Sequence, residues 1–185
     1  MNDRLNYFGE LDKVRDAFPD VFLLATEACN GYIPVLDRGP RVGSWGRGEL
    51  YGHDVLNDLL HGSAGWTDWN IALDLEGGPN WKGNFVDSPI LVNGTEWLVQ
   101  PMFFYLAHFS LFLGGGAVRV GVDSTSSAFL EAPLEAAAFD TPGGLVLVAL
   151  NRARASRAYV VDVDGAEFAL SIPARAIQTV ALPRS

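Results

Sequence analysis

Cysteine is nearly absent from the chain, which contains only Cys29 among its 185 residues. A single cysteine excludes an internal disulfide. No Cys-His protease signature surrounds it, so we expect a small buried thiol rather than a nucleophile. The three histidines, His53, His61 and His108, lack the spacing of metal ligands with one another or with Cys29. The sequence therefore predicts neither a metal site nor another cofactor.

Basic residues are also scarce, with 13 Lys and Arg against 22 Asp and Glu, a net charge of −9 and a pI near 4.6. This balance argues against nucleic acid or an anionic membrane as a partner. The longest apolar run, residues 101–113, is interrupted by His108 and is too short to span a bilayer. The charged first residues do not resemble a signal peptide, and the sequence leaves the cellular location open.

A short apolar run that ends on a carboxylate is the most informative segment present. Residues 21–25 are apolar, which predicts a strand buried on both faces, and Glu27 follows just before the turn signal Asn30-Gly31. Parallel α/β barrels place catalytic residues at the C-terminal ends of their strands. A carboxylate there is either functional, or it caps a helix or pairs with an arginine. The strand pattern alone leaves both interpretations open.

Tryptophans beside polar residues mark a second segment. The sequence GWTDWN covers residues 65–70, and Trp81 follows a Gly-Gly-Pro turn. A flat indole can cover the C–H face of a sugar while Asp and Asn bind its hydroxyl groups. Carbohydrate binding is therefore one interpretation, although we expect two or three of the five tryptophans to be packing residues.

Five motifs in a fixed order carry a family resemblance: LLATEACNG, RVGSWGRGELYGHD, GWTDWNIALDLEGGPNW, NFVDSPI and QPMFFYLAHFS. Together they resemble glycoside hydrolase family 30, most closely its glucosylceramidase (acid β-glucosidase) branch. The resemblance implies a retaining β-glycosidase built on a (β/α)8 TIM barrel with an attached β-sandwich. It also implies that Glu27 is the nucleophile at the end of the seventh barrel strand, and that Trp69 and Asn84 bind the substrate sugar. The implied substrate is a β-glucoside or a glycolipid such as glucosylceramide.

The resemblance also exposes a gap. Retaining glycosidases need a second carboxyl group about 5 Å from the nucleophile as the acid/base. In this family that Glu follows an Asn, and the chain contains no Asn-Glu dipeptide. A full barrel needs about 250 residues, so we expect only the C-terminal part of the enzyme, with about the last two barrel strands. We therefore expect the chain to be inactive alone, unless a separate chain supplies the first half of the barrel. The alternative function is a non-catalytic remnant or carbohydrate-binding module.

The three consecutive glycines Gly114, Gly115 and Gly116 separate two parts of the chain with different sequence patterns. Residues 1–116 predict the partial barrel, with helices over residues 6–18, after Ser44 and from Pro101, and with a second strand over residues 66–72. The helix from Pro101 is apolar all round and is expected to be buried. Residues 117–185 predict an antiparallel β-sandwich of six short strands, including a hairpin at Asp164-Gly165. Two barrel strands cannot close a barrel, so we expect an exposed sheet edge.

Several polar residues near these motifs have two interpretations. By position Asp68 is a candidate second carboxylate, whereas the resemblance implies a supporting role beside Trp69. The loop after Glu27 contains Arg41, Trp45 and Arg47, which could shape the rim of the pocket. The two arginines could instead pair with carboxylates, and we favour this structural role for them. Asp87 is expected to secure a turn before Pro89 rather than to contact substrate.

Overall fold

The computed structural model describes residues 7–33, 36–125 and 134–182. The chain forms two compact units, Met1–Leu106 and Ala107–Ser185. The sequence places its domain boundary slightly later, at residues 116 and 117, and that boundary remains a prediction.

The first unit mixes helices with short strands. Its helices are α1 (Gly9–Ala17), α2 (Trp45–Leu60) and the start of α3 (Pro101–Ser110). Its strands are β1 (Leu23–Ala28), β2 (Tyr32–Ile33), β3 (Asp37–Arg38), β4 (Ser63–Asp68), β5 (Ala72–Asp74), β6 (Ile90–Asn93) and β7 (Glu96–Val99). The helix predicted over residues 6–18 is confirmed as the shorter α1, since Tyr7, Phe8 and Phe18 lie outside the helix and Asn6 lies outside the described residues.

Two adjacent parallel strands, β1 and β4, form the sheet that carries Glu27. The chain order β1–α2–β4 is a βαβ unit, in which a crossover helix connects parallel strands. The second strand was predicted over residues 66–72, and this prediction is wrong at its end. The strand stops at Asp68, and Ala72–Asp74 instead forms β5, which pairs in parallel with β6 in a separate sheet.

The burial predicted for the first strand is wrong. Phe22 is 75% exposed and Leu24 is 49% exposed. The physical reason is that β1 pairs with β4 alone among the described strands, so other strands and helices do not cover its remaining edge and apolar side chains. The open edge itself confirms the prediction that these residues form no closed barrel.

Helix α2 lies between the two parallel strands in sequence and carries much of the first unit's core. Ser44 occupies the predicted N-cap position, but its side chain forms no capping hydrogen bond. Leu56 is completely buried. Gly48 permits close packing, because a Cβ at this position would lie 2.6 Å from the Tyr105 ring.

Helix α3 begins at Pro101 as predicted, but it is not buried on all sides. Met102 and Tyr105 are buried, whereas Phe103 and Phe104 are 37% and 56% exposed. An apolar sequence lacks the polar stripe that would identify an exposed face. The prediction of full burial is therefore wrong for one side of this helix.

The second unit is the β-sandwich. Its strands are β8 (Val118–Val120), β9 (Glu135–Thr141), β10 (Gly144–Asn151), β11 (Arg157–Val163), β12 (Ala166–Ile172) and β13 (Ala176–Leu182). One sheet has the order β13-β10-β9-β8, and β11 pairs with β12 in the other. Ala138, Leu147 and Leu182 form a buried core, against which side chains of β11 and β12 also pack. All pairings are antiparallel, which confirms the predicted architecture.

The hairpin predicted at Asp164-Gly165 is confirmed between β11 and β12. Both turn residues have positive φ, 53° for Asp164 and 89° for Gly165. Asp and Gly tolerate this left-handed backbone better than other residues, which explains why the dipeptide predicts the turn.

Candidate active site

A cavity of about 420 Å³ in the first unit brings the three predicted site residues together. Glu27, Trp69 and Asn84 all line it, although they come from three different segments of the chain. The described residues of the lining are Glu27, Cys29, Tyr32, Arg38, Trp69, Gly83, Asn84, Phe85 and Val86. Such a mixture of aromatic walls and a few polar groups is typical of a small-molecule site.

Glu27 lies near the C-terminal end of β1, where the strand pairing becomes irregular. Ala25 pairs with Trp66 and Ala28 with Asp68, so β1 advances by three residues while β4 advances by two. Irregular pairing of this kind re-aims side chains and is frequent beside active sites. Glu27 is exposed, and its carboxylate forms no hydrogen bond or ion pair with any residue that the structure describes. Both structural alternatives, a helix cap and an arginine pair, are therefore without support in the described residues.

Trp69 is fixed by its backbone at the corresponding end of β4. Its N–H group lies 2.8 Å from the Ala28 carbonyl oxygen and 2.8 Å from Asp68 Oδ1. These contacts hold the residue after β4 against the end of β1, next to Glu27. The indole itself is 49% exposed and lines the cavity, which leaves it available to a ligand.

Asp68 does not belong to the cavity lining. Its Oδ1 accepts a hydrogen bond of 2.7 Å from the Tyr51 hydroxyl, and its Oδ2 is buried with no partner among the described residues. Burial raises the pKa of Asp68 to about 7, although the hydrogen bonds from Tyr51 and Trp69 lower it. Burial also raises the pKa of Tyr51 well above 10, and the neighbouring Asp68 carboxylate adds to this shift.

Asn84 lies on the long loop between β5 and β6. Its backbone N–H donates to Asn80 Oδ1 at 3.1 Å. Its two sequence neighbours both contact Arg38: Arg38 Nη2 donates to the Gly83 carbonyl oxygen at 2.7 Å, and the guanidinium carbon lies 5.3 Å from the Phe85 ring centroid. The β2–β3 hairpin thereby supports the loop that carries Asn84.

A buried ionic network lies next to this loop. Arg47 pairs with Asp37 at 2.6 Å and with Asp87, and it donates to the Gly39 carbonyl oxygen at 2.7 Å. The favoured structural role of Arg47 is confirmed by these contacts. Arg41 also pairs with Asp37, at 3.3 Å.

Asp87 and Trp45 extend the structural surroundings of the cavity without lining it. Asp87 accepts the N–H of Ser88, as expected for a turn, but also binds Gln100 Nε2 and Arg47, which the sequence pattern did not predict. Trp45 packs edge-on against Tyr105, with ring centroids 5.6 Å apart. Neither residue belongs to the cavity lining.

Six lining residues were not predicted as site residues: Cys29, Tyr32, Arg38, Gly83, Phe85 and Val86. Cys29 is half-buried in the cavity wall rather than enclosed in the core, which corrects the expected location of this thiol. Burial raises the pKa of the Cys29 thiol, and the nearby Glu27 and Asp68 carboxylates contribute in the same direction. The sequence signal that could have identified these lining residues is their position close to Glu27 or Asn84 in the chain.

The described residues contain no cluster of three or more His, Cys, Asp or Glu side chains suited to a metal ion. Among the described lining residues, the charged side chains are those of Glu27 and Arg38. Within the described part of the chain, every helix is too short or too polar to cross a membrane.

Comparison with protein families matches nearly the whole chain. The glycosyl hydrolase family 30 TIM-barrel domain matches residues 6–113. The glycosyl hydrolase family 30 beta sandwich domain matches residues 116–180. The two matches follow the order of the α/β and all-β parts seen in the structure.

Individual relatives agree with these matches. Lysosomal acid glucosylceramidase of Mus musculus is 44% identical over 144 residues, which cover 77% of this chain and 27% of the mouse protein. The solved structure of SrfJ from Salmonella typhimurium is 28% identical with a TM-score of 0.82, and the match covers 97% of this chain and 39% of that chain. An endo-β1,6-glucanase, at 22% identity and a TM-score of 0.77, shares the fold and is covered to 39%.

The chain thus spans between about a quarter and two fifths of the length of these relatives. In each relative the matching segment is part of one longer chain. The comparisons consequently give no support to the expectation that a separate chain supplies the other barrel strands.

Proposed function

Because the chain belongs to glycosyl hydrolase family 30, we propose that it carries the nucleophile-bearing part of a retaining β-glycosidase site. The observation that carries this proposal is the juxtaposition of an unpaired carboxylate, Glu27, with Trp69 and Asn84 in one cavity. A carboxylate that has no protein partner in the described residues remains free to attack a substrate.

In this mechanism, Glu27 attacks the anomeric carbon of a β-glucoside. A bond forms between a Glu27 carboxylate oxygen and the anomeric carbon, while the bond from that carbon to the leaving-group oxygen breaks. Water then cleaves the glycosyl-enzyme and restores the carboxylate. The two displacements together retain the configuration at the anomeric carbon.

Trp69 and Asn84 bind the sugar in this proposal. The half-exposed indole covers an apolar face of the ring, and the amide side chain binds hydroxyl groups. Asp68 acts as a positioning residue, because its Oδ1 accepts the Trp69 N–H, its Oδ2 is buried, and the residue does not line the cavity. This arrangement disfavours Asp68 as the acid/base that protonates the leaving group.

Among the described residues that line the cavity, Glu27 is the only carboxylate. We therefore assign no acid/base to the described residues, and we propose that the chain alone lacks this step. The substrate class proposed for the whole enzyme is a β-glucoside, with a glycolipid of the glucosylceramide type favoured by the name of the mouse relative.

Covalent labelling tests the nucleophile directly. The purified chain is incubated with 2,4-dinitrophenyl 2-deoxy-2-fluoro-β-glucoside, whose good leaving group needs little protonation, and is then digested for peptide mass mapping. The adduct is expected on Glu27, and Glu27→Gln should abolish it. Glu76→Gln is the matched control, because Glu76 is an exposed carboxylate outside the cavity lining.

An adduct on another residue would remove Glu27 as the nucleophile. If the chain binds glucose-like ligands but acquires no adduct, the alternative function of a non-catalytic carbohydrate-binding module is favoured. The α-glucoside analogue should give no adduct in either case, since the proposed site takes the β-anomer.

A further inference from the structure

Arg38 occupies an unusual place in the cavity wall, because it contacts the residues on both sides of Asn84. Its Nη2 atom donates to the Gly83 carbonyl oxygen at 2.7 Å. The guanidinium carbon also lies over the Phe85 ring, 5.3 Å from the centroid. One side chain thus contacts both the Gly83 carbonyl oxygen and the Phe85 ring.

The segment around Asn84 has few other attachments. Residues 83–88 belong to no helix or strand, and Trp81 is 88% exposed. Besides Arg38, the described contacts of residues 83–85 are the Asn84 N–H donating to Asn80 Oδ1 at 3.1 Å and the Gly39 N–H donating to the Phe85 carbonyl oxygen at 3.3 Å. Both hydrogen bonds are at the long end of the usual range.

The support of Arg38 itself is firmer. Arg38 ends β3, and its backbone pairs with Tyr32 in the β2–β3 hairpin. Its neighbour Asp37 forms ion pairs with Arg41 and Arg47, and the Arg47 side chain is buried. The guanidinium therefore extends from an anchored hairpin to residues 83–85, whose other described hydrogen bonds are long, although Asp87 of the same loop is firmly bound.

We propose that Arg38 is a positioning residue that holds Asn84 at the cavity wall through its contacts with Gly83 and Phe85. The role of Asn84 in sugar binding rests on the proposed function, whereas the positioning of residues 83–85 by Arg38 does not depend on it. Arginine suits this position because its planar group donates hydrogen bonds in its plane while its face stacks on an aromatic ring. Lysine would keep the positive charge but could not donate a hydrogen bond in a plane and stack on the aromatic ring at the same time.

Amide hydrogen exchange measured by NMR on the full chain tests the proposal without any activity. The reporter is the amide of Asn84, which donates to Asn80 Oδ1. The Gly39 amide is a poorer reporter, because it also donates to the Gly31 carbonyl oxygen at 2.9 Å. Arg38→Met should speed the exchange of the Asn84 amide about tenfold, because a hydrogen bond to a charged donor contributes about one order of magnitude to such an equilibrium. Arg38→Lys should give an intermediate increase.

Arg41→Met is the matched control. Arg41 is an exposed arginine of the same loop, and its side chain contacts Asp37 and Leu36 but not residues 83–85. In Arg41→Met, the Asn84 amide should exchange at the same rate as in the unmodified chain. Unchanged exchange in both Arg38 variants, or an equal increase in Arg41→Met, would overturn the proposal.

A second arm measures the affinity for the glucosidase inhibitor 1-deoxynojirimycin. Arg38→Met should weaken binding in the same way as Asn84→Ala, and the double variant should lose little more than either single variant. Additive losses would overturn the proposal, because they would show that Arg38 acts independently of Asn84. If the unmodified chain does not bind the inhibitor, the proposed function fails, and the exchange rates still decide whether Arg38 orders the segment.

Discussion

The Arg47 guanidinium and the Asp87 carboxylate form an ion pair that is almost completely withdrawn from solvent. The side chain of Arg47 is 4% exposed and that of Asp87 is 0% exposed. Arg47 is the third residue of α2, and Asp87 lies on the same loop between β5 and β6 as Asn84. The pair therefore connects the crossover helix to the segment that forms one wall of the cavity.

Breaking this pair should strongly destabilise the first unit. Asp87→Asn or Arg47→Met leaves the other partner buried without its full complement of contacts, which typically costs about 3–5 kcal/mol of unfolding free energy. Urea unfolding monitored by tryptophan fluorescence measures the loss. Arg41→Met is the control, because the exposed pair of Arg41 with Asp37 should contribute less than about 1 kcal/mol. A small loss in both buried-pair variants would show that the network has little energetic importance.

The leaving group should decide whether the chain turns over a glucoside. General acid assistance typically contributes about 10²–10⁴-fold, and the lining residues that the structure describes include no second carboxylate. We expect slow release of dinitrophenol from its β-glucoside and no measurable hydrolysis of methyl β-glucoside. Glu27→Gln should abolish the slow reaction. Robust cleavage of the methyl glucoside by the purified chain would contradict the assignment of the acid/base outside the described residues.

Two exposed tryptophans should differ in their response to a sugar ligand. Trp69 lines the cavity, whereas Trp81 is 88% exposed, lies outside the lining and contacts Lys82, whose Nζ is 4.6 Å from a Trp81 ring centroid. Trp69→Ala should weaken the binding of 1-deoxynojirimycin about tenfold, on the scale of a lost aromatic contact. Trp81→Ala should leave the affinity unchanged. Isothermal titration calorimetry distinguishes the two, and equal effects would argue against a sugar platform at Trp69.

Asp68 should make stability depend on pH. Its pKa is raised from 3.8 to about 7, mainly by burial, so the folded state binds this proton more tightly than the unfolded state. The resulting stabilisation is fully present below about pH 3.8 and is lost as the pH rises through about 7. The stability of Asp68→Asn relative to the unmodified chain should therefore increase between pH 4 and pH 8, by on the order of 2–4 kcal/mol.

Parallel urea titrations at several pH values measure this difference. Asp20→Asn serves as the control, since Asp20 is exposed and lies outside the cavity. Its relative stability should not follow the same curve. A difference between Asp68→Asn and the unmodified chain that is constant with pH would show that Asp68 ionises normally in the folded protein.

The sandwich could be predicted from sequence because its signals are local. Alternating side chains along each strand and the Asp164-Gly165 turn depend only on neighbouring residues. The position of Glu27 after an apolar run made it a candidate in the same way, whereas its predicted role as nucleophile came from the family resemblance. Trp69 and Asn84 required the family resemblance, since residues far apart in sequence meet only once the strands are paired.

Other features depend on contacts that no local pattern contains. Arg38 reaches Gly83 and Phe85 across the hairpin, and the pairing of Arg47 with Asp87 joins positions that are forty residues apart. The burial of β1 was predicted wrongly for the related reason that apolar composition indicates a strand suited to burial. It does not reveal whether neighbouring strands are there to cover it.

The open edge beside β1 should cause the purified chain to associate. Phe22 immediately precedes β1 and is 75% exposed, and β1 pairs with β4 alone among the described strands. Unpaired edges beside exposed apolar side chains favour pairing between chains. Phe22→Lys should therefore lower the associated fraction in sedimentation velocity. Leu111→Lys is the control, because Leu111 is 77% exposed but follows a helix rather than bordering a sheet edge. If Leu111→Lys lowers association as much as Phe22→Lys, general surface hydrophobicity rather than the β1 edge drives it.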